Sequence, residues 1–219
     1  MNFVMNYQGE IFNKAPCVYD DKDESYNCGG YALGIDEWYH PYVTPQKADY
    51  YYDAAEDNFD SDFEPENDEE KEEYTVAREY YEYWQEHYDE VVDGFHKFFF
   101  DCFGHEMTDD EERELGKWSS DNCVILSVFI MLSVFPWLRK IESMDELNND
   151  EYGIIFAVGH HDFHFVRYDN GIYTHKMGPC PIEEVDDWRK AFYCDWFSDE
   201  EMRYDKGHVF FAAKKPEYR

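Results

Sequence analysis

A cysteine stands where a turn runs into a short helix, in the segment Tyr26-Asn27-Cys28-Gly29-Gly30-Tyr31-Ala32-Leu33-Gly34. Free backbone amides and the positive end of a helix dipole favour a thiolate at such a junction, and a thiolate is the nucleophile of cysteine chemistry. Far downstream, Asp162-Phe163-His164-Phe165-Val166-Arg167-Tyr168 supplies a histidine in the order Cys then His. His164 is therefore the candidate base that takes the proton of Cys28 and returns it to a leaving group.

A third group follows from turn chemistry. Asn170-Gly171 lies between two strand-like runs, and a two-residue type I′ turn needs positive φ at both of its positions. That turn sets Asp169 opposite Ile172 and residue 166 opposite 175. His164 and His175 then share one face of the sheet in diagonal positions, where a hydrogen bond can join them and His175 can orient His164. The oxyanion formed by attack of Cys28 on a carbonyl would be held by the backbone amide of Cys28, with Asn27 or Tyr26 as a second donor. The histidines of Gly159-His160-His161-Asp162-Phe163-His164 suggest a metal, yet on a strand His160 and His164 would stand roughly 13 Å apart, too far to share one ion. No metal and no cofactor is expected. Cys17, Cys102, Cys123, Cys180 and Cys194 form no CxxC pair with one another or with Cys28 and are read as packing residues.

These side chains need a scaffold, and the pattern of the chain predicts a helical first half followed by strands. Trp38-Tyr39-His40-Pro41-Tyr42-Val43-Thr44-Pro45 reads as an ordered loop, with a short turn of helix from Gln46. From Asp68, the residues Ala77, Tyr80, Tyr81, Trp84, Tyr88, Val91, Val92, Phe95, Phe98 and Phe99 recur at steps of three and four, which marks an amphipathic helix with an inward aromatic stripe. Thr108-Asp109-Asp110-Glu111 has the form of a capping box, and Gly116 is placed to end the helix that it starts. The uncharged run from Cys123 to Leu138 is short of a bilayer span and reads as a buried helix. Strand-like runs follow at Tyr152–Val158, around His164, at Gly171–Met177 and at His208–Ala213. A helical half carrying the cysteine and an antiparallel sheet carrying the histidines make an α+β domain over residues 1–219.

Composition limits the partners. The 219 residues are 43% hydrophobic and 20% aromatic, enough to fill a core, while the formal charge is -32. Such a charge repels nucleic acid and anionic membranes and attracts basic substrates or basic protein faces. Half of it falls between Asp53 and Asp93, where 18 Asp or Glu stand against Lys71 and Arg78 alone. The first residues, Met1-Asn2-Phe3-Val4-Met5-Asn6-Tyr7, lack the pattern of a secretory signal, so a cytoplasmic location is expected.

The segments Asn27–Gly34, Asp162–Asp169 and Gly171–Gly178 resemble a group of bacterial and phage proteins with papain-like cysteine peptidase motifs of the cell-wall endopeptidase type. The resemblance implies a papain-like fold, a cysteine that opens a helix, a histidine on a strand and a polar third residue on the next, which map to Cys28, His164 and His175. It covers about a quarter of the chain, and the acidic helical block 53–120 has no counterpart in it, which implies an insertion. Val166 stands where those relatives usually carry Tyr, and Tyr173 where they carry Trp. The implied activity is hydrolysis of a peptide or other amide bond, in the host cytoplasm if the protein is phage-encoded. Acyl transfer needs the same three residues. An alternative of another class is an acidic inhibitor or interaction protein, a nucleic-acid mimic that docks its 53–93 region on a basic partner.

Overall fold

The structure, a computed structural model, describes residues 4–5, 11–12, 27–35, 39–61, 63–117, 120–159, 162–178, 180–192, 204 and 206–216. Tyr26, Trp38, His160, His161, Cys17 and Cys194 lie outside the described residues. The architecture is α+β, with helices preceding a six-stranded antiparallel sheet.

Two short strands, β1 (Val4–Met5) and β2 (Ile11–Phe12), pair antiparallel near the start of the chain. Helix α1 (Cys28–Leu33) then begins at the candidate cysteine and ends at Gly34, whose φ of 66° is a left-handed cap that glycine adopts without strain. The loop after it leads into α2 (Pro45–Asn58), which is 14 residues long rather than a single turn. Pro45 does not oppose a helix here, because it occupies the first turn, where its missing N–H has no intrahelical partner; Thr44 caps the end with its hydroxyl.

The amphipathic pattern becomes α3 (Asp68–Phe103), 36 residues and about 54 Å long at 1.5 Å per residue. Asn67 caps its N-terminus by accepting from the Glu70 amide. None of the ten apolar and aromatic positions of the stripe is exposed. The first half of α3 packs on α2 around Ala48, Ala55, Tyr83, Trp84 and Val91, a small core of its own. Its second half delivers Phe95, Phe98 and Phe99 to the main core.

The capping box forms as expected in α4 (Asp109–Leu115): Glu111 N donates to the Thr108 hydroxyl, and Thr108 N donates to the Glu111 carboxylate. In the uncharged run, α5 (Asp121–Val134) stops at Phe135 and Pro136. The chain then turns into a strand instead of continuing as helix to Leu138.

The sheet consists of β3 (Leu138–Ile141), β4 (Glu151–Val158), β5 (Phe163–Asp169), β6 (Ile172–Lys176), β7 (Ile182–Val185) and β8 (Gly207–Lys214), in the order β3-β8-β4-β5-β6-β7. Strands β3 and β7 extend the four expected from sequence. Every residue of β4 is buried, because both faces of the sheet are covered there. On the first face Ile154, Phe156, Val158, Phe163 and Phe165 pack with α1, α3 and α5 in one core. On the second, Ile155, Ala157 and Val166 pack with Tyr204 and a 3₁₀ turn at Trp188–Phe192. The alternation of side chains along β4 and β5 separates the two sets.

Among the described residues, no helix is long and apolar enough to cross a membrane.

A candidate cysteine and histidine site

The register of the hairpin decides where the histidines go. Asn170 and Gly171 have φ of 53° and 87°, Asp169 faces Ile172, and Val166 faces His175, as the Asn-Gly turn requires. His164 and His175 therefore project from the same face of neighbouring strands, and Nε2 of His164 lies 3.1 Å from Nδ1 of His175. Both rings are buried. That bond uses one nitrogen of His164 and leaves Nδ1 without a hydrogen bond among the described residues.

The ring of His164 is fixed from the sides as well. Tyr204 stacks on it at 5.2 Å between centroids, and Phe192 meets it edge-on. Burial, and then the neighbouring His175, push its pKa down to about 3, so the resting imidazole is neutral. Burial also lowers the pKa of His175, opposed by the carboxylate of Glu183, which lies 3.8 Å from Nε2 and directly across the β6–β7 ladder.

Cys28 reaches the same strand from the other side. Helix α1 lies on the first face, tied there by Tyr31 Oη donating to Thr174 Oγ1 at 2.7 Å and Tyr152 Oη donating to the Leu33 carbonyl at 2.9 Å. The paired register of β5 with β6 stops at Val166 and His175, and the next amide along, that of Phe165, turns to the Cys28 sulfur. The amides of Gly29 and Cys28 itself are also directed at the sulfur. Burial and next the carboxylate of Asp162 outweigh these three donors and push the thiol up to about 12. The resting pair is a neutral thiol and a neutral imidazole. The thiol packs in the first-face core while the His164 ring lies on the second, and no hydrogen bond joins them.

Asn27, read from sequence as an oxyanion donor, is engaged elsewhere. Its Oδ1 accepts from Gly30 N and Tyr39 N, both at 3.0 Å, and its Nδ2 donates to the Tyr39 carbonyl at 2.9 Å. It is a buried clamp that caps α1 and pins the loop behind it. Gly29 fits beneath that loop: a Cβ there would come within 3.0 Å of the Tyr39 carbonyl and ring. A close backbone approach therefore explains Gly29.

Three neighbours of the site escape a reading by motif. Asp162 accepts from Phe163 N at 2.8 Å and from Tyr204 Oη at 3.2 Å. Its place two residues before His164 was the available signal. Glu183 sits on a four-residue strand too polar to stand out, and Tyr204 comes from a region with no periodicity. Among the described residues, no cluster of three His, Cys, Asp or Glu side chains is arranged to hold a metal ion. Comparison with protein-family models, curated proteins and solved structures finds no match to this chain.

Proposed function

We propose that the protein is a cysteine hydrolase of papain-like organisation acting on a peptide or other amide bond, with Cys28 as nucleophile, His164 as general base and acid, and His175 as its orienting partner. The observation that carries this reading is the buried His164–His175 bond, which engages Nε2 of His164 and leaves its Nδ1 without a hydrogen bond among the described residues, on the strand whose Phe163 and Phe165 pack with Cys28. Catalytic hydrogen bonds are often long or absent before substrate binds, and this reading requires the thiol and the imidazole to meet only in the substrate complex.

In the reaction, the Cys28 proton passes to His164 Nδ1 as sulfur bonds to the carbonyl carbon. The amides of Cys28 and Gly29 hold the oxyanion, because the cap leaves these first two amides of α1 unused by Asn27. The carbon–nitrogen bond then breaks, and the imidazolium gives its proton to the departing amine. Water, deprotonated by His164, hydrolyses the thioester and restores the thiol. In the resting protein this proton transfer is uphill, because burial holds the thiol up to about 12 and the imidazole down to about 3, so substrate binding has to stabilise the charged pair.

The test is labelling by a panel of peptidyl acyloxymethyl ketones, read by peptide mass spectrometry. Modification of Cys28 that disappears in His164→Ala supports the reading. Equal labelling of Cys28 in that variant, or labelling only at Cys102 and Cys180, overturns it.

A second reading draws on α3, whose outer face exposes Glu79, Glu82, Glu86, Asp89 and Asp93 at steps of three and four residues. This continuous line of carboxylates suits a basic protein surface, either as the whole function or as a docking arm for a basic substrate.

A further inference from the structure

Asp162 directly precedes Phe163, which packs in the same core cluster as Cys28, and its negative charge disfavours a Cys28 thiolate. The carboxylate is held in one orientation by Phe163 N and Tyr204 Oη. Tyr204 in turn stacks on His164, so one side chain links the carboxylate to the base. Asp162 is solvent-exposed, while desolvation on the side against the protein raises its pKa. Among the described residues it has no ion pair. A fixed, uncompensated carboxylate beside a nucleophile that must become an anion is unfavourable until a cation arrives.

We propose that Asp162 is the cation-binding subsite of this centre, so that the substrate presents an ammonium or guanidinium group next to the carbonyl attacked by Cys28. The proposal rests on the hydrolase reading above and adds the substrate class. Burial is the larger reason that the thiol stays protonated and the Asp162 charge the second; a bound cation offsets the second, so the correct substrate both occupies the site and eases ionisation of its nucleophile. An uncharged analogue gains neither. The fixed orientation of the carboxylate, with one oxygen accepting from a backbone amide and the other from a phenol, suits a directional hydrogen bond to a cation rather than diffuse attraction.

The experiment uses three methanethiosulfonates, cationic aminoethyl, neutral methyl and anionic sulfonatoethyl, each of which forms a mixed disulfide as the thiolate displaces methanesulfinate. Rates are read at each cysteine by peptide mass spectrometry in the full chain. Native Cys28 is expected to prefer the cationic over the anionic reagent by at least about tenfold more than Cys102 or Cys180 does. Asp162→Asn, which retains the oxygen that accepts from Phe163 N, is expected to remove about tenfold of that preference. Glu106→Gln, an exposed carboxylate between α3 and α4, serves as the control for net charge and should leave the preference unchanged. If Asp162→Asn alters the preference no more than Glu106→Gln does, the subsite is refuted while the reactive cysteine stands. If Cys28 takes none of the reagents while Cys102 and Cys180 do, the hydrolase reading and the subsite fall together.

Discussion

Replacing His164 by Gln should flatten the acid side of the stability curve, by an amount that the burial of the ring sets. In the folded protein the imidazole is pushed down to about 3, against 6.5 for an unperturbed histidine. Above pH 6.5 neither state binds the proton, and the neutral ring contributes its full stability. As the pH falls from 6.5 towards 3, the unfolded chain takes up a proton that the folded chain refuses, so stability is lost in this window. The whole window is worth about 5 kcal/mol, from 3.5 units at 1.36 kcal/mol each. Within it the loss runs at about 1.4 kcal/mol per pH unit. Gln cannot titrate but keeps an N–H donor for His175. Urea unfolding at several values between pH 7 and 4.5 should therefore give a shallower decline for His164→Gln, with the two curves converging by about 2 kcal/mol between pH 6 and 4.5. Parallel curves would refute the reasoning, as would a His164 imidazole that titrates near 6.5 by NMR. Either result would mean that the ring is hydrated and that its bond to His175 does not hold in solution.

Two further outcomes follow from other parts of the structure. Asn27→Ala removes a helix cap and also the two buried hydrogen bonds that tie Tyr39 to Asn27, so it should destabilise the protein by about 2–4 kcal/mol in urea unfolding, more than an ordinary cap deletion. Trp84→Ala should cost about 3–5 kcal/mol, and because Trp84 belongs to the separate α2–α3 core, hydrogen exchange should quicken in residues 45–92 while β4 and β5 remain protected.

The histidine pair was legible in the sequence because its geometry is local. Asn170-Gly171 admits one turn type, the turn fixes the register, and the parity of a strand then fixes the shared face. The same holds for the Thr108 capping box and the stripe of α3, whose information lies within a few residues of each feature. The relation of Cys28 to that pair was not legible. Nothing in Asn27–Gly34 states which face of the sheet a six-residue helix will cover; that depends on Tyr31 reaching Thr174 and Tyr152 reaching Leu33 across the fold. The role of Asn27 was hidden for the same reason, since its partner Tyr39 is brought back by a loop. Helix α2 was underestimated because proline was weighed as a breaker, although after Thr44 it begins a helix. The strands β3 and β7 are four residues each, too short for alternation to distinguish them from loop.

The strand order has a consequence for how the chain matures. Strand β8, last of the six in sequence, lies between β3 and β4. A ribosome that has released β3 through β7 has made five of the six strands, yet β3 has no neighbour and β4 presents an unpaired edge. Because β4 carries β5, and β5 carries His164, the site cannot become rigid during synthesis; it sets only when the final strand threads into the middle of the sheet. Until then the nascent chain displays a long apolar edge, Tyr152 to Val158, of the kind that recruits chaperones or pairs with a second copy. Truncation within β8 should therefore disrupt the site although Cys28, His164 and His175 all lie on other elements.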